Sequence, residues 1–279
     1  MEREQREAGI GMCREVAPGV YCMETGKGIS RSNVYFVRSG SSWVLIDTAS
    51  ANCGRLIRKA AESLFGANTR PASILLTHDH PDHAGSALEL AHTWGCPVYM
   101  HPKELPLAVI RELSTIEKYA NPMDRWIILP ILRIMPRRRV DALLSEDRLK
   151  EVAQAFDPEN TVPSLLDWKC IPTPGHSPGH SSFFRTRGRV LITGDALASV
   201  DLNSFRGFLS WALRRNRQKV SGSPWYSTWN RPVAKDSVAA LAKLEPRVLA
   251  PGHGMPMAND SVSRELRAFA EHFAGTHAK

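Results

Sequence analysis

Short apolar runs, each closed by polar residues beside glycine or proline, recur along the chain. Trp43-Val44-Leu45-Ile46, Ile74-Leu75-Leu76, Val190-Leu191-Ile192 and Val248-Leu249-Ala250 are too short for helices, and most of their residues are β-branched or aromatic, which predicts strands. The same pattern predicts strands over 16–24, 33–38, 97–100, 168–171 and 182–185, with Ser39-Gly40-Ser41-Ser42 turning 33–38 back onto 43–46. Helical spacing replaces it elsewhere. Leu56, Ile57, Ala60, Ala61 and Leu64 predict a helix over 51–65. Further helices are expected from 84 to 92, over 105–119 and 233–243, and over 261–274 with Ser261 as N-cap.

Two stretches carry a different texture. Residues 105–119 have an apolar face, the run from Trp126 to Pro136 is nearly all apolar, and Arg137-Arg138-Arg139 follows. That stretch reads as a cap over a site, as a homodimer interface through 105–140, or as a surface touching a membrane. Residues 200–232 interleave arginines (Arg206, Arg214, Arg215, Arg217) with aromatics (Phe205, Phe208, Trp211, Trp225, Tyr226). Charge plus stacking can hold single-stranded nucleic acid. The preferred reading is a helix with a buried aromatic face and a solvated basic face, part of it lining a pocket mouth.

Composition narrows the class. Of 279 residues, 43 % are apolar and 23 % charged, as in a soluble globular protein. Cys13, Cys22, Cys53, Cys96 and Cys170 are scattered, and read as free thiols in a reducing compartment. The charged start Met1 to Glu7 argues against a signal peptide, and no apolar run reaches the ~18 residues of a membrane span. A cytoplasmic location is therefore expected. The net charge of +8 favours anionic partners or marks a generally basic surface.

The chemistry concentrates in Thr77-His78-Asp79-His80-Pro81-Asp82-His83-Ala84-Gly85. This cluster lies between a strand and the start of a helix, where side chains converge. Imidazole and carboxylate are the donors that borderline divalent ions such as zinc accept. His78 and His80 alternate along extended chain and face one side. Asp82 and His83 follow the turn at Pro81 and reach a second ion. Four side chains do not surround two ions, so other strand ends must contribute. Asp47, His176 in Thr173-Pro174-Gly175-His176, Asp195 after Gly194, and His253 in Pro251-Gly252-His253-Gly254 are the candidates. His92, His101, His180 and His272 fall outside these motifs and read as structural, His180 as a brace for its loop.

These five motifs, in this order over about 200 residues, resemble the metallo-β-lactamase superfamily of hydrolases. The resemblance implies an α/β fold, the four-layer αββα sandwich, as a single domain over 1–279 with helical insertions at about 102–167 and 200–232. It implies His78, His80 and His176 as ligands of a first metal, and Asp82, His83 and His253 as ligands of a second. Asp195 would bridge them, and Asp47 would hold a ligand histidine or its loop. The implied cofactors are two divalent ions, zinc foremost, with Mn2+ or Fe2+ also suited to the donors. Asp195 resembles the glyoxalase II, lactonase and ribonuclease Z branches more than the true β-lactamases. Ala198 stands where the lactonases carry a tyrosine, and only about 25 residues follow His253, where glyoxalase II has a helical domain. The implied activity is hydrolysis of a small ester, thioester or lactone by a metal-bridging hydroxide, with Asp82 as the catalytic proton carrier. A metal-dependent phosphodiesterase or ribonuclease, and an iron-dependent persulfide dioxygenase, are the competing readings.

Overall fold

The structure, a computed structural model, describes residues 13–109, 113–144, 149–215 and 217–275. The charged start and residues 110–112 of the predicted 105–119 helix lie outside this set. One sheet holds seven strands in chain order: β1 (Cys13–Ala17), β2 (Val20–Thr25), β3 (Ser32–Ser39), β4 (Ser42–Ile46), β5 (Ser73–Leu75), β6 (Val98–Met100) and β7 (Ala153–Ala155). The remaining strands are β8 (Trp168–Pro172), β9 (Ser181–Arg185), β10 (Val190–Gly194), β11 (Leu197–Ala198), β12 (Ser221–Gly222), β13 (Val248–Pro251) and β14 (Met257–Ala258). A second sheet orders five of them as β14-β13-β10-β9-β8, while β11 and β12 pair with each other.

Alternation along the strands sorts side chains into three apolar layers. Tyr35, Val37, Val44 and Ile46 of the first sheet meet Phe183, Val190, Ile192 and Ala250 of the second between the sheets. Val34, Phe36 and Leu45 point the other way, onto Ile57 and Ala61 of α1 (Gly54–Phe65) and, past the short helix α2 (Pro81–Ala84), onto Leu90 and Ala91 of α3 (Ala87–Trp94). On the far side, Leu191 and Leu249 pack on Val238 and Leu241 of α9 (Arg231–Ala242) and on Leu266 of α10 (Val262–Gly275). The result is the four-layer αββα arrangement. Each fully buried Leu, Ile or Phe in these layers contributes about 1.5–3 kcal/mol.

The strand expected over 16–24 is two strands, because Pro18 and Gly19 (φ 74°) reverse the chain into a hairpin. Strand β7 continues the parallel set beside β6, although Ala-Gln-Ala carries no strand signal of its own. Among its described residues, the stretch after His101 contains four short helices: α4 (Leu105–Val109), α5 (Leu113–Lys118), α6 (Leu129–Ile134) and α7 (Arg137–Leu144). A π-turn, Asp124–Ile128, precedes α6. In the later stretch, α8 (Phe205–Ala212) buries Trp211 but leaves Phe205 80 % exposed, so only part of its aromatic face is covered. Ser261 stands at the N-cap position of α10, its carbonyl accepting from the Glu265 N–H at 2.8 Å, but its hydroxyl lies against Asn259 Oδ1 and Glu265 Oε1 in place of a backbone N–H. Among the described residues no helix is long and apolar enough to cross a membrane.

Candidate metal centre

The parallel pairs β4–β5 and β10–β13 aim their C-terminal ends at one crevice between the sheets. Open α/β sheets place their sites at such ends. β4 ends at Asp47, whose φ of 60° turns the chain left-handed, a conformation aspartate tolerates. β5 runs into His78, α2 supplies Asp82 and His83, β10 delivers Asp195, and β13 delivers His253. His176 arrives from the loop after β8. The structure brings all seven sequence-predicted ligands together in two groups. His78, His80, His176 and Asp195 form one, and Asp82, His83 and His253 the other, with the donor atoms of each within 4.8 Å of one another. Asp195 faces both: Oδ1 lies 3.2 Å from His83 Nε2, and Oδ2 lies 3.4 Å from His176 Nε2 and 3.3 Å from His253 Nε2.

The outer nitrogens settle which inner nitrogens are free. His83 Nδ1 donates to Asp47 Oδ2 at 2.8 Å, and His253 Nδ1 to the Arg31 carbonyl at 2.7 Å. The Thr77 hydroxyl donates to Asp47 at 2.9 Å, so it accepts from His78 Nδ1 at 3.0 Å. His176 Nδ1 rests on Ser223 Oγ at 2.7 Å. Each contact turns Nε2 into the crevice, where that of His176 lies 2.8 Å from His80 Nδ1. His180 is the counter-case: its Nε2 accepts from the Asp195 N–H at 3.0 Å, so it braces Asp195. His101 accepts from the Lys103 N–H and stands outside both groups.

His78 Nε2, His83 Nε2 and Asp195 Oδ1 are buried and have no hydrogen-bond partner. A buried polar atom left unpaired costs about 1–3 kcal/mol, and three in one crevice fit a cation that takes their lone pairs. The electrostatics agree. Burial pushes the His78, His80 and His176 imidazoles below their usual range, which keeps them neutral. Burial alone would raise the Asp82 and Asp195 carboxyls, but His83 and His253 outweigh it and hold both low. His83 and His253 are held high against burial by the same carboxylates, His253 up to about 10. The carboxylates thus demand positive charge at this point.

The sequence profile of the metallo-beta-lactamase superfamily matches residues 28–253. The chain belongs to the metallo-β-lactamase superfamily. It is 34 % identical over 260 residues to the probable metallo-hydrolase YflN of Bacillus subtilis, covering 92 % of this chain and 91 % of that one. Among solved structures it resembles the metallo-beta-lactamase family protein TTHA1429 of Thermus thermophilus (TM-score 0.62, 22 % identity, 93 % of this chain, 79 % of that chain). It also resembles TTHA1623, crystallised in a di-iron-bound form (TM-score 0.53, 22 % identity, 87 % of this chain, 98 % of that chain).

Within this superfamily fold, several supporting residues escaped the sequence reading. Glu104 is buried and accepts from Asp79 N (3.0 Å), Ser177 Oγ (2.9 Å) and Gly179 N (2.8 Å), tying the His78–His83 turn to the His176 loop. Burial pushes its carboxyl up to about 7. Ser223 and the Arg31 carbonyl hold histidines 47 and 222 residues away. No local pattern signals such partners; Thr77, adjacent to His78, was the one within reach. A methyl group at Gly252 would overlap Asp195 Oδ1 and stand 2.7 Å from His83 Cε1, so only glycine fits there. In front of the two groups opens a cavity of about 930 Å³, walled by residues from both 105–128 and 202–227.

Proposed function

We propose that this chain is a dinuclear metal-dependent hydrolase of an ester, thioester or lactone. The observation that carries the reading is the pair of donor groups sharing Asp195, with three buried lone-pair atoms turned inward. His78, His80 and His176 would hold one ion, Asp82, His83 and His253 the other, and Asp195 both. The donor set is nitrogen and oxygen without thiolate, and we assign zinc, with iron as the alternative that the di-iron relative brings into the test. When bound, the ions would supply a nucleophile from water at neutral pH and polarise the scissile carbonyl.

The chain's own residues do the rest. Asp47 fixes His83 directly and His78 through Thr77, which orients one ligand of each ion. Asp82 is open to the cavity, its side chain 31 % exposed, and its Oδ2 lies 3.3 Å from His253 Nε2. It is placed to take the proton released by the attacking water and pass it to the leaving group. The test is Asp82→Asn in metal-loaded protein, with metal content by mass spectrometry and fold by circular dichroism. Turnover of 4-nitrophenyl acetate should drop at least about a hundredfold with the fold intact. Wild-type turnover in that variant overturns the role of Asp82. Metal analysis that finds no divalent ion overturns the hydrolase reading itself.

A further inference from the structure

We propose that the cavity selects an uncharged substrate with an apolar acyl chain and turns away substrates whose far end is anionic, phosphodiesters and nucleic acid included. This rests on the hydrolase reading and narrows it to a substrate class. The cavity opens directly onto His80, Asp82, Asp195 and His253. Its volume lies at the upper end of the about 300–1,000 Å³ typical of small-molecule sites. The wall facing the metal groups is apolar and comes from both insert-like segments: Leu107, Ile116 and Met123 from the first, Phe208, Trp211 and Trp225 from the second.

Beyond the candidate metal-binding groups, the charged side chains described around it are acidic. Asp79 and Asp124 line the cavity beyond Asp82 and Asp195, Glu104 is buried with both carboxyl oxygens taken up by Asp79 N, Ser177 Oγ and Gly179 N, and among the described residues no lysine or arginine lines it. The chain's +8 charge is spent elsewhere. Arg31 lies against the Trp211 ring at 4.9 Å and donates to the Trp211 carbonyl. Arg214 pairs with Glu24 at 2.9 Å, and Arg133 with Glu117 at 2.9 Å. An anionic tail entering this wall would lose its water and meet carboxylates in place of a cation. A neutral alkyl or aryl tail would replace water against apolar carbon.

Near-isosteric pairs test this on the metal-loaded full chain. 4-Nitrophenyl hexanoate is compared with the 4-nitrophenyl monoester of adipic acid, which ends in a carboxylate. Independently of turnover, hexanamide is compared with adipamic acid by thermal-shift titration. The hexanoate should exceed the adipate by at least about tenfold in kcat/KM, and hexanamide should bind at least about tenfold tighter. Ile116→Lys, which puts a cation in the wall, should narrow or reverse both ratios. Equal or better handling of the adipate, or of adipamic acid, overturns the proposal while leaving a hydrolase. Preferential hexanamide binding without ester turnover supports the pocket and overturns the hydrolase reading. Faster turnover of bis(4-nitrophenyl) phosphate than of the hexanoate overturns both.

Discussion

At the floor of the site, histidines are held by partners of fixed geometry: Asp47 and Thr77 behind His83 and His78, Ser223 behind His176, a carbonyl behind His253. At the cavity wall, the neighbours are mostly apolar side chains on short helices, and several stay in water: Phe205 is 80 % exposed and Trp225 52 %. The floor stands on strand ends locked into two sheets, and on the proposed reading its groups must be placed to within tenths of an ångström to share an ion. The wall needs only to be apolar, to exclude water and to match a tail in length. Chemistry and specificity are thereby written in separate parts of the chain, under different tolerances.

Substitutions at the floor should break this contrast most. Gly252→Ala pushes on Asp195 and His83 together, and should cost about a hundredfold or more in turnover, since small misplacements at reacting groups have that effect. Metal stoichiometry by mass spectrometry should fall in the same variant; two ions and full activity would count against the geometry. Asp47→Asn comes next. It leaves His83 Nδ1 and Thr77 with a poorer acceptor, and zinc affinity measured by chelator competition should drop about 10–100-fold.

Glu104→Gln sits between floor and wall. One amide oxygen cannot accept from both ends of the turn, so stability should fall by about 1–3 kcal/mol in chemical denaturation. Its pH dependence has a definite sign. Burial raises the folded carboxyl to about 7 from an ordinary 4.5, so the folded state holds the proton more tightly than the unfolded chain. That contribution is full below about pH 4.5 and is lost as pH rises through about 7. The stability difference between wild type and variant should therefore shrink across this window, and a constant difference would contradict it. Ile134→Ser, on the exposed end of α6, should move stability by no more than about 0.5 kcal/mol.

Particular residues show how far the sequence could be read. His78, His80, Asp82 and His83 lie within six positions on a strand-to-helix turn, and local geometry alone converges them. Asp47, Asp195, His176 and His253 announced themselves as polar residues closing apolar runs beside glycine or proline. β7 did not, because Ala-Gln-Ala becomes a strand only when β6 offers an edge to pair with. Glu104 did not, because a lone glutamate near a helix start looks solvated until the His176 loop folds over it.

By itself, then, the sequence determined most strand ends, the seven candidate donor residues and the superfamily, since these depend on residue type and local spacing. Only the tertiary structure decided which nitrogen each histidine presents, because the partner of the other nitrogen arrives from as far as 222 residues away. It also decided the sign of charge in the cavity. A count of arginines says nothing of where they end up, and here Arg214, Arg133 and Arg31 are engaged by Glu24, Glu117 and the Trp211 ring, and none of the three lines the cavity.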